Sequence, residues 1–457
     1  MTKSTSGPRK PNGSRKRASD TVTTGKTGSA VKSGMNRRSF LAHALAGGAA
    51  AGTAYLGLGR DMYAFAQASG PIKIGHHCEL TGGFASWGYW HDKCAKAAVK
   101  VINESGGIAK RKVELLTEDT ESNPATGARK LRSLIQRGGA SFITGSVHSG
   151  IMLASIPVAT ELKTVYFSTG EATEATGAKG TRYSFRTGTD TYALAAAGAP
   201  WAYQNLGKTW TIISPDYAWG HSHYKEHKAV IERLGGKVHP PIFVPLDAKD
   251  LVPYLAKIPQ DTQVLFSVFF GALSIAFYTQ AKSMGLEKTM KMYSVSGTVE
   301  AIAPADLKGA CEGVYVVENF PRMVKYKDDK AHRDFIKLLG TDDVHAREAG
   351  SKRVNAKSHS WQSYENIFAL KQAIEASGWK TKKDDKGVIE ALEGLQMPNS
   401  VGHPQGAKLL RKEDHSGMID CYISRIENNE FHVKKRVSKE ELMAELKPRF
   451  DLSKKAL

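Results

Sequence analysis

The sequence predicts an α/β protein of two lobes, each built on a mainly parallel sheet with helices on both faces. Three observations carry this. The 457 residues exceed one small domain, and 41% hydrophobic with 24% charged residues is the balance of a folded soluble chain. From Ile72 onward, short apolar strands alternate with helices of about 10–15 residues, the pattern of parallel sheets. The alternation restarts after Arg186, so it runs twice.

In the first series, a strand at 72–76 enters the Gly-containing loop Leu80-Thr81-Gly82-Gly83-Phe84. The helix that follows places Ala95, Ala98, Val99 and Ile102 on one stripe. It ends at Gly106-Gly107, where a left-handed cap is accessible. A strand at 113–117 precedes a helix with Asn123 as cap and Pro124 in its first turn, carrying Leu131, Leu134 and Ile135. A strand at 140–144, a helix at 151–162 and a strand at 164–168 complete this series. The second series opens with a helix at 192–206. Its strands are expected at 210–214, 237–244, 264–269 and 290–295, its helices at 221–234, 250–257 and 273–284. Ligands of such sheets bind beyond the carboxyl ends of the strands, so function is expected in those loops.

The formal net charge of +19 suggests nucleic acid until it is located. Residues 1–66 hold eleven Lys/Arg against two acids, leaving a net of +10 elsewhere. The first forty residues are rich in Ser, Thr, Gly and Lys and cannot bury a core, so they read as a disordered basic extension. Asn36-Arg37-Arg38-Ser39-Phe40-Leu41-Ala42 is a twin-arginine pattern. A small-residue apolar run over 42–59 follows, then the small-x-small site Ala64-Phe65-Ala66. The run is too weakly apolar for a stable anchor, so cleavage after Ala66 and export to the periplasm are expected. Met35, directly before the motif, offers an alternative start. The remaining charge is scattered: residues 325–330 and 380–386 interleave bases with acids as solvated surface does, and no nucleic-acid partner is expected. Export permits disulfides among Cys78, Cys94, Cys311 and Cys421; three pairings are open, and four buried thiols are the alternative.

Motifs for phosphate loops, nucleophile elbows and zincins are absent, and no nucleophile–base pair stands out, so no enzyme is expected. His223 and His227 share a helix face near His221, as metal ligands do. An exposed polar face is the favoured reading, and no metal or cofactor is expected. His76 and His77 point to opposite faces of their strand, with a structural role favoured.

Several loops together carry a resemblance. Ile72-Lys73-Ile74-Gly75, Leu80-Thr81-Gly82-Gly83, Trp87-Gly88 and Ile102-Asn103-Glu104-Ser105-Gly106-Gly107-Ile108 open it. Glu118-Asp119-Thr120 with Asn123-Pro124, Gly145-Ser146, Phe185-Arg186-Thr187, Asp216-Tyr217-Ala218-Trp219-Gly220 and Cys311-Glu312-Gly313-Val314-Tyr315-Val316 continue it. In this order, over residues 72 to about 430, they resemble type I periplasmic solute-binding proteins, the leucine/isoleucine/valine-binding class serving ABC importers.

The resemblance implies two Rossmann-like lobes joined by three hinge crossings near Gly188, Phe320 and Met418, with the ligand cleft between them. Lobe 1 would comprise 67–188 and 321–418, lobe 2 189–320 and 419–457. It implies that a ligand carboxylate meets main-chain N–H groups and hydroxyls of Ser146-Val147-His148-Ser149-Gly150 and Ser168-Thr169-Gly170-Glu171-Ala172. His148, Ser149, Gly170, Glu171 and Ala172 are therefore candidates, Ser149 foremost, and the helix start beside it suits an anion. Ser149 as a helix cap is compatible with that role. Trp87 and Trp219 hold the family's ring-bearing positions, and Phe269 or Phe270 follows a second-lobe strand, Phe270 being the site candidate. In the loop containing Ser296, amino-acid binders carry an acid for the ligand ammonium; here none occurs before Glu300, and Glu171 is the substitute. Two ligands stay open: a branched-chain-type amino acid, or an aromatic or aliphatic organic acid without an ammonium, which the aromatic loops favour. The implied function is the non-enzymatic substrate-binding component of an ABC transporter, with a small-molecule ligand and inner-membrane permease subunits as partners. A sensor or regulator domain of the same fold is the alternative.

Overall fold

The computed structural model describes residues 70–457. The predicted basic extension and signal peptide (1–66), with Arg37, Arg38 and the cleavage site after Ala66, lie outside the described residues.

The first sheet is parallel throughout, in the order β2-β1-β3-β4-β5. Its strands are β1 (Ile72–Cys78), β2 (Val113–Asp119), β3 (Phe142–Gly145), β4 (Tyr166–Phe167) and β5 (Ser184–Phe185). Six of the seven β1 residues are buried, as a strand covered by helices on both faces requires. The helix Ala85–Glu104 buries Trp87, Trp90, His91, Cys94, Ala95, Ala98 and Ile102 at helical spacing. Asn123 caps the helix Pro124–Gln136 as its residue type predicts: its side chain accepts from the Thr126 amide at 3.0 Å.

After β5 the chain runs through the helix Thr191–Asn205 into a second sheet. It comprises β6 (Thr209–Pro215), β7 (Lys237–Val238), β8 (Ile242–Val244), β9 (Val264–Ser267), β10 (Lys291–Val295) and β11 (Tyr315–Glu318), then β15 (Cys421–Glu427) and β16 (Glu430–Val437). The order is β16-β15-β11-β10-β9-β6-β7, with β8 also beside β6, and only the pairings involving β15 are antiparallel. Between β11 and β15 the chain returns to the first sheet's side. There it forms helices Lys330–Leu339, Lys357–Ser377 and Asp385–Leu392 and a small antiparallel sheet of β12 (Gln396–Met397), β13 (Lys408–Leu410) and β14 (Gly417–Met418). The Lys357–Ser377 helix packs along Ala85–Glu104, with Ser363 Oγ 2.7 Å from His91 Nδ1.

Three expectations are corrected. The strand expected at 237–244 is two short strands, because Pro240 and Pro241 have no N–H to donate. The helix expected at 250–257 is one turn, Val252–Leu255. His223 and His227 are not on an exposed face: both are buried, and the His227 ring lies 4.2 Å from that of Phe266, while His221 is exposed and pairs with Asp216. The final segment touches both sides. Arg449 meets Glu226 at 2.7 Å beside the second sheet, and the Leu452 amide donates to the Glu413 carbonyl at 2.5 Å beside the first. All four cysteines are buried free thiols. Among the described residues, no helix is long and apolar enough to cross a membrane.

Candidate functional site

The carboxyl ends of the two sheets face each other, and a cavity lies between their loops. Phe84, Trp87, Val147 and Glu171 line it from the first sheet's loops, with His359 from the Lys357–Ser377 helix. Tyr217, Trp219, Phe270 and Gly297 line it from loops after β6, β9 and β10. The cavity between these side chains has a volume of about 310 Å³, open solvent at its mouth included. The lobes are thus drawn together.

Local sequence explains the placement. Gly88 lets the first turn of its helix press on the end of β1: a Cβ there would sit 1.9 Å from the Glu79 carbonyl oxygen. That contact holds Trp87 over the cleft. On the opposite side, a Cβ on Gly297 would meet the Trp219 ring at 2.8 Å, so glycine makes room for the indole. The walls interlock: the Phe84 and Phe270 rings stack at 4.1 Å, and Trp87 meets His359 edge-on at 5.4 Å.

Glu171 supplies the carboxylate of the lining. It is 4% exposed, and its Oε2 accepts the Trp219 indole N–H at 2.8 Å. Its Oε1 has no hydrogen-bond partner. His359 Nε2 stands 3.6 Å from Oε1, and His223 Nε2 3.7 Å from Oε2. Burial holds both imidazoles below their usual range, His223 down to about 3. Beneath the loop, the buried Arg186 donates to the Gly170 and Ala172 carbonyls at 2.9 and 3.0 Å. Arg186 is thus the residue that positions Glu171, and its motif was visible in the sequence without that role.

The expected carboxylate-binding loop is filled from within the chain. Glu79, after β1, accepts from the Val147 and His148 amides at 3.3 and 3.2 Å and from the Ser146 hydroxyl. Burial pushes the Glu79 carboxyl up to about 7. The Gly150 and Ile151 amides donate to His148 Nδ1 at 3.0 and 3.3 Å, so His148, not Ser149, caps the helix Ser149–Glu161. Ser149 Oγ accepts from the Ala172 amide at 3.3 Å. The amides of Val147, His148, Gly150 and Ala172, all in the loops expected to receive an anion, are therefore engaged.

Of the candidates from sequence, Trp87, Glu171, Trp219 and Phe270 come together in the lining. His148 stands behind it, its ring 4.6 Å from Phe84 and 5.0 Å from Tyr217. Ser149, Gly170 and Ala172 support the Glu171 loop, and Ser296 is buried beside Gly297 without lining the cavity. Phe84, Val147, Tyr217, Gly297 and His359 were not among the candidates. Tyr217 lay inside a quoted motif, whereas His359 enters from a helix about 190 residues further along the chain than Glu171 and carries no local signal. Among the described residues, no group of three or more His, Cys, Asp or Glu side chains is arranged to hold a metal ion.

This architecture defines a class. The chain belongs to the periplasmic binding protein family, whose signature it matches over residues 71–430. Its fold is that of the type I members. The Leu/Ile/Val-binding protein homolog 8 of Brucella suis is 32% identical over 135 residues, which is 29% of this chain and about a third (33%) of that protein. The Leu/Ile/Val-binding protein homolog 1 of Brucella abortus is 25% identical over 346 residues, 73% of this chain and 88% of that one. A periplasmic binding protein of Burkholderia mallei superposes with a TM-score of 0.71 at 22% identity, covering 84% of this chain and 98% of that one. An ABC-transporter solute-binding protein of R. palustris in complex with benzoate gives 0.70 at 18% identity, covering 81% and 97%. The branched-chain amino acid transporter substrate-binding protein of Streptococcus pneumoniae in complex with isoleucine gives 0.65 at 18%, covering 80% and 99%.

Proposed function

We propose that this protein is the periplasmic substrate-binding component of an ABC importer, exported by the twin-arginine pathway, that closes two lobes over one small organic solute. The observation that carries this is the cavity itself, whose walls come from strand-end loops of both sheets and meet through Glu171 and Trp219. Such a site forms only when the lobes approach, so a solute touching both walls shifts the population toward closure. The closed face is what permease subunits would read. The crossings near Gly188, Phe320 and Met418 serve as hinges, and the site does no chemistry.

The benzoate and isoleucine bound by its structural neighbours support a solute of that size with an apolar body. The expectation from the family resemblance that it carries a carboxylate is supported by the same neighbours. The engaged amides of Val147, His148, Gly150 and Ile151 weigh against it. Small-angle scattering tests closure. Protein stripped of solute in denaturant and refolded should contract when a small-molecule extract of its own periplasm is added. An unchanged radius of gyration would contradict the reading.

A further inference from the structure

We infer that the solute is a small organic cation, an ammonium-type head without an adjoining carboxylate, held by Glu171 between aromatic walls. This rests on the solute-binding reading above and names the chemistry of the same cavity. The lining contains one carboxylate and no Lys or Arg. Glu171 Oε1 is buried without a partner, and an unsatisfied buried carboxylate oxygen is costly until a donor arrives. Arg186, the cation behind the loop, faces Glu171 through space but gives its Nη hydrogen bonds to the Gly170 and Ala172 carbonyls, leaving Oε1 without a donor. Burial disfavours the charged form of the neighbouring His223 and His359 imidazoles, and neither is within hydrogen-bond distance of the carboxylate.

The walls suit the same partner. Trp87, Trp219, Phe84, Phe270 and Tyr217 bring five aromatic rings to the lining, and the π-face of such a ring attracts an alkylated or primary ammonium. A carboxylate would meet Glu171 as a like charge at close range. It would also find the amides of Val147 and His148 already donating to Glu79, and those of Gly150 and Ile151 to His148. Trp87 Nε1 is the other buried unpartnered polar atom of the lining, one donor for a neutral acceptor such as a hydroxyl.

Calorimetry with matched probes tests this on the unmodified chain. Isoamylamine and leucine share a side chain and differ by the carboxylate; benzylamine and benzoate reverse the charge on one ring; isoamyl alcohol is the neutral control. At least one amine should bind about tenfold or more tightly than its partner acid or zwitterion and than the alcohol. Glu171→Gln should weaken that amine by about 100-fold or more, with Glu171→Asp between, circular dichroism confirming the fold. Leucine or benzoate binding as tightly as the matched amine would overturn the proposal. So would an unchanged amine affinity in Glu171→Gln, or no binding of either amine. If Glu171→Gln fails to fold, the ranking on the native chain decides alone. Failure here leaves the solute-binding reading standing whenever leucine or benzoate binds, or when the periplasmic extract contracts the protein.

Discussion

The Trp219 indole N–H donates to Glu171 Oε2 at 2.8 Å, joining a loop of the first sheet to a loop of the second. The acceptor is a buried carboxylate, so the bond belongs to the stronger class of hydrogen bond. Nearby, the Thr173 amide donates to Ser222 Oγ at 3.1 Å, also across the cleft. These contacts form only when the two lobes are together. A solute that touches both walls adds its own contacts to these and shifts the population toward closure.

Trp219→Phe keeps most of the ring and removes the donor. Closure should weaken by about 1.5–3 kcal/mol, the range for a hydrogen bond to a charged group. With the same periplasmic extract added to both, the variant should show a larger radius of gyration than the parent, with far-UV circular dichroism unchanged. An unaltered radius would show that the bond does not hold the lobes.

Ser149→Ala separates two roles. Ser149 Oγ accepts the Ala172 amide, so its loss should cost about 1 kcal/mol of stability in urea unfolding. Solute affinity should stay within a few tenths of a kcal/mol of the parent. A weaker affinity with unchanged stability would restore Ser149 as a ligand contact.

His148→Asn keeps a capping side chain and removes a titrating one. Burial lowers the His148 imidazole to about 4, below its ordinary 6.5. Folding thus favours the neutral ring: its contribution is fully present above about pH 6.5 and is lost as pH falls toward 4. The variant should match the parent near pH 7.5 and gain on it by on the order of 2 kcal/mol at pH 4.5, read from paired urea titrations. A parent–variant difference that does not change with pH would contradict the burial of a neutral His148.

Arg37 and Arg38 lie outside the described residues, but their role is testable. Replacing both by Lys should leave full-length protein in the cytoplasm. Periplasmic protein cut before Gln67 in the double variant would exclude the twin-arginine route.

The alternation of strands and helices was legible because burial on two faces imposes apolar runs and helical stripes, as β1 and the Ala85–Glu104 helix show. Pro240 and Pro241 marked the break in one strand, and hydrophobicity masked it. Trp87, Trp219 and Phe270 could be found because they sit at strand ends, where the fold puts ligands. The fate of the 146–151 amides could not. It depends on Glu79 being folded inward and on a histidine acting as a cap, a residue type that capping preferences do not favour. His359 was beyond sequence reasoning because its helix joins the site only in three dimensions.

Native mass spectrometry of the protein isolated from its own periplasm is the most direct test that the cavity holds a single small solute. The mature chain should carry one non-covalent mass increment of a small organic molecule. That increment should disappear on denaturation and return when the released fraction is added back. A bare chain that never takes up such a molecule from that fraction would contradict the assignment.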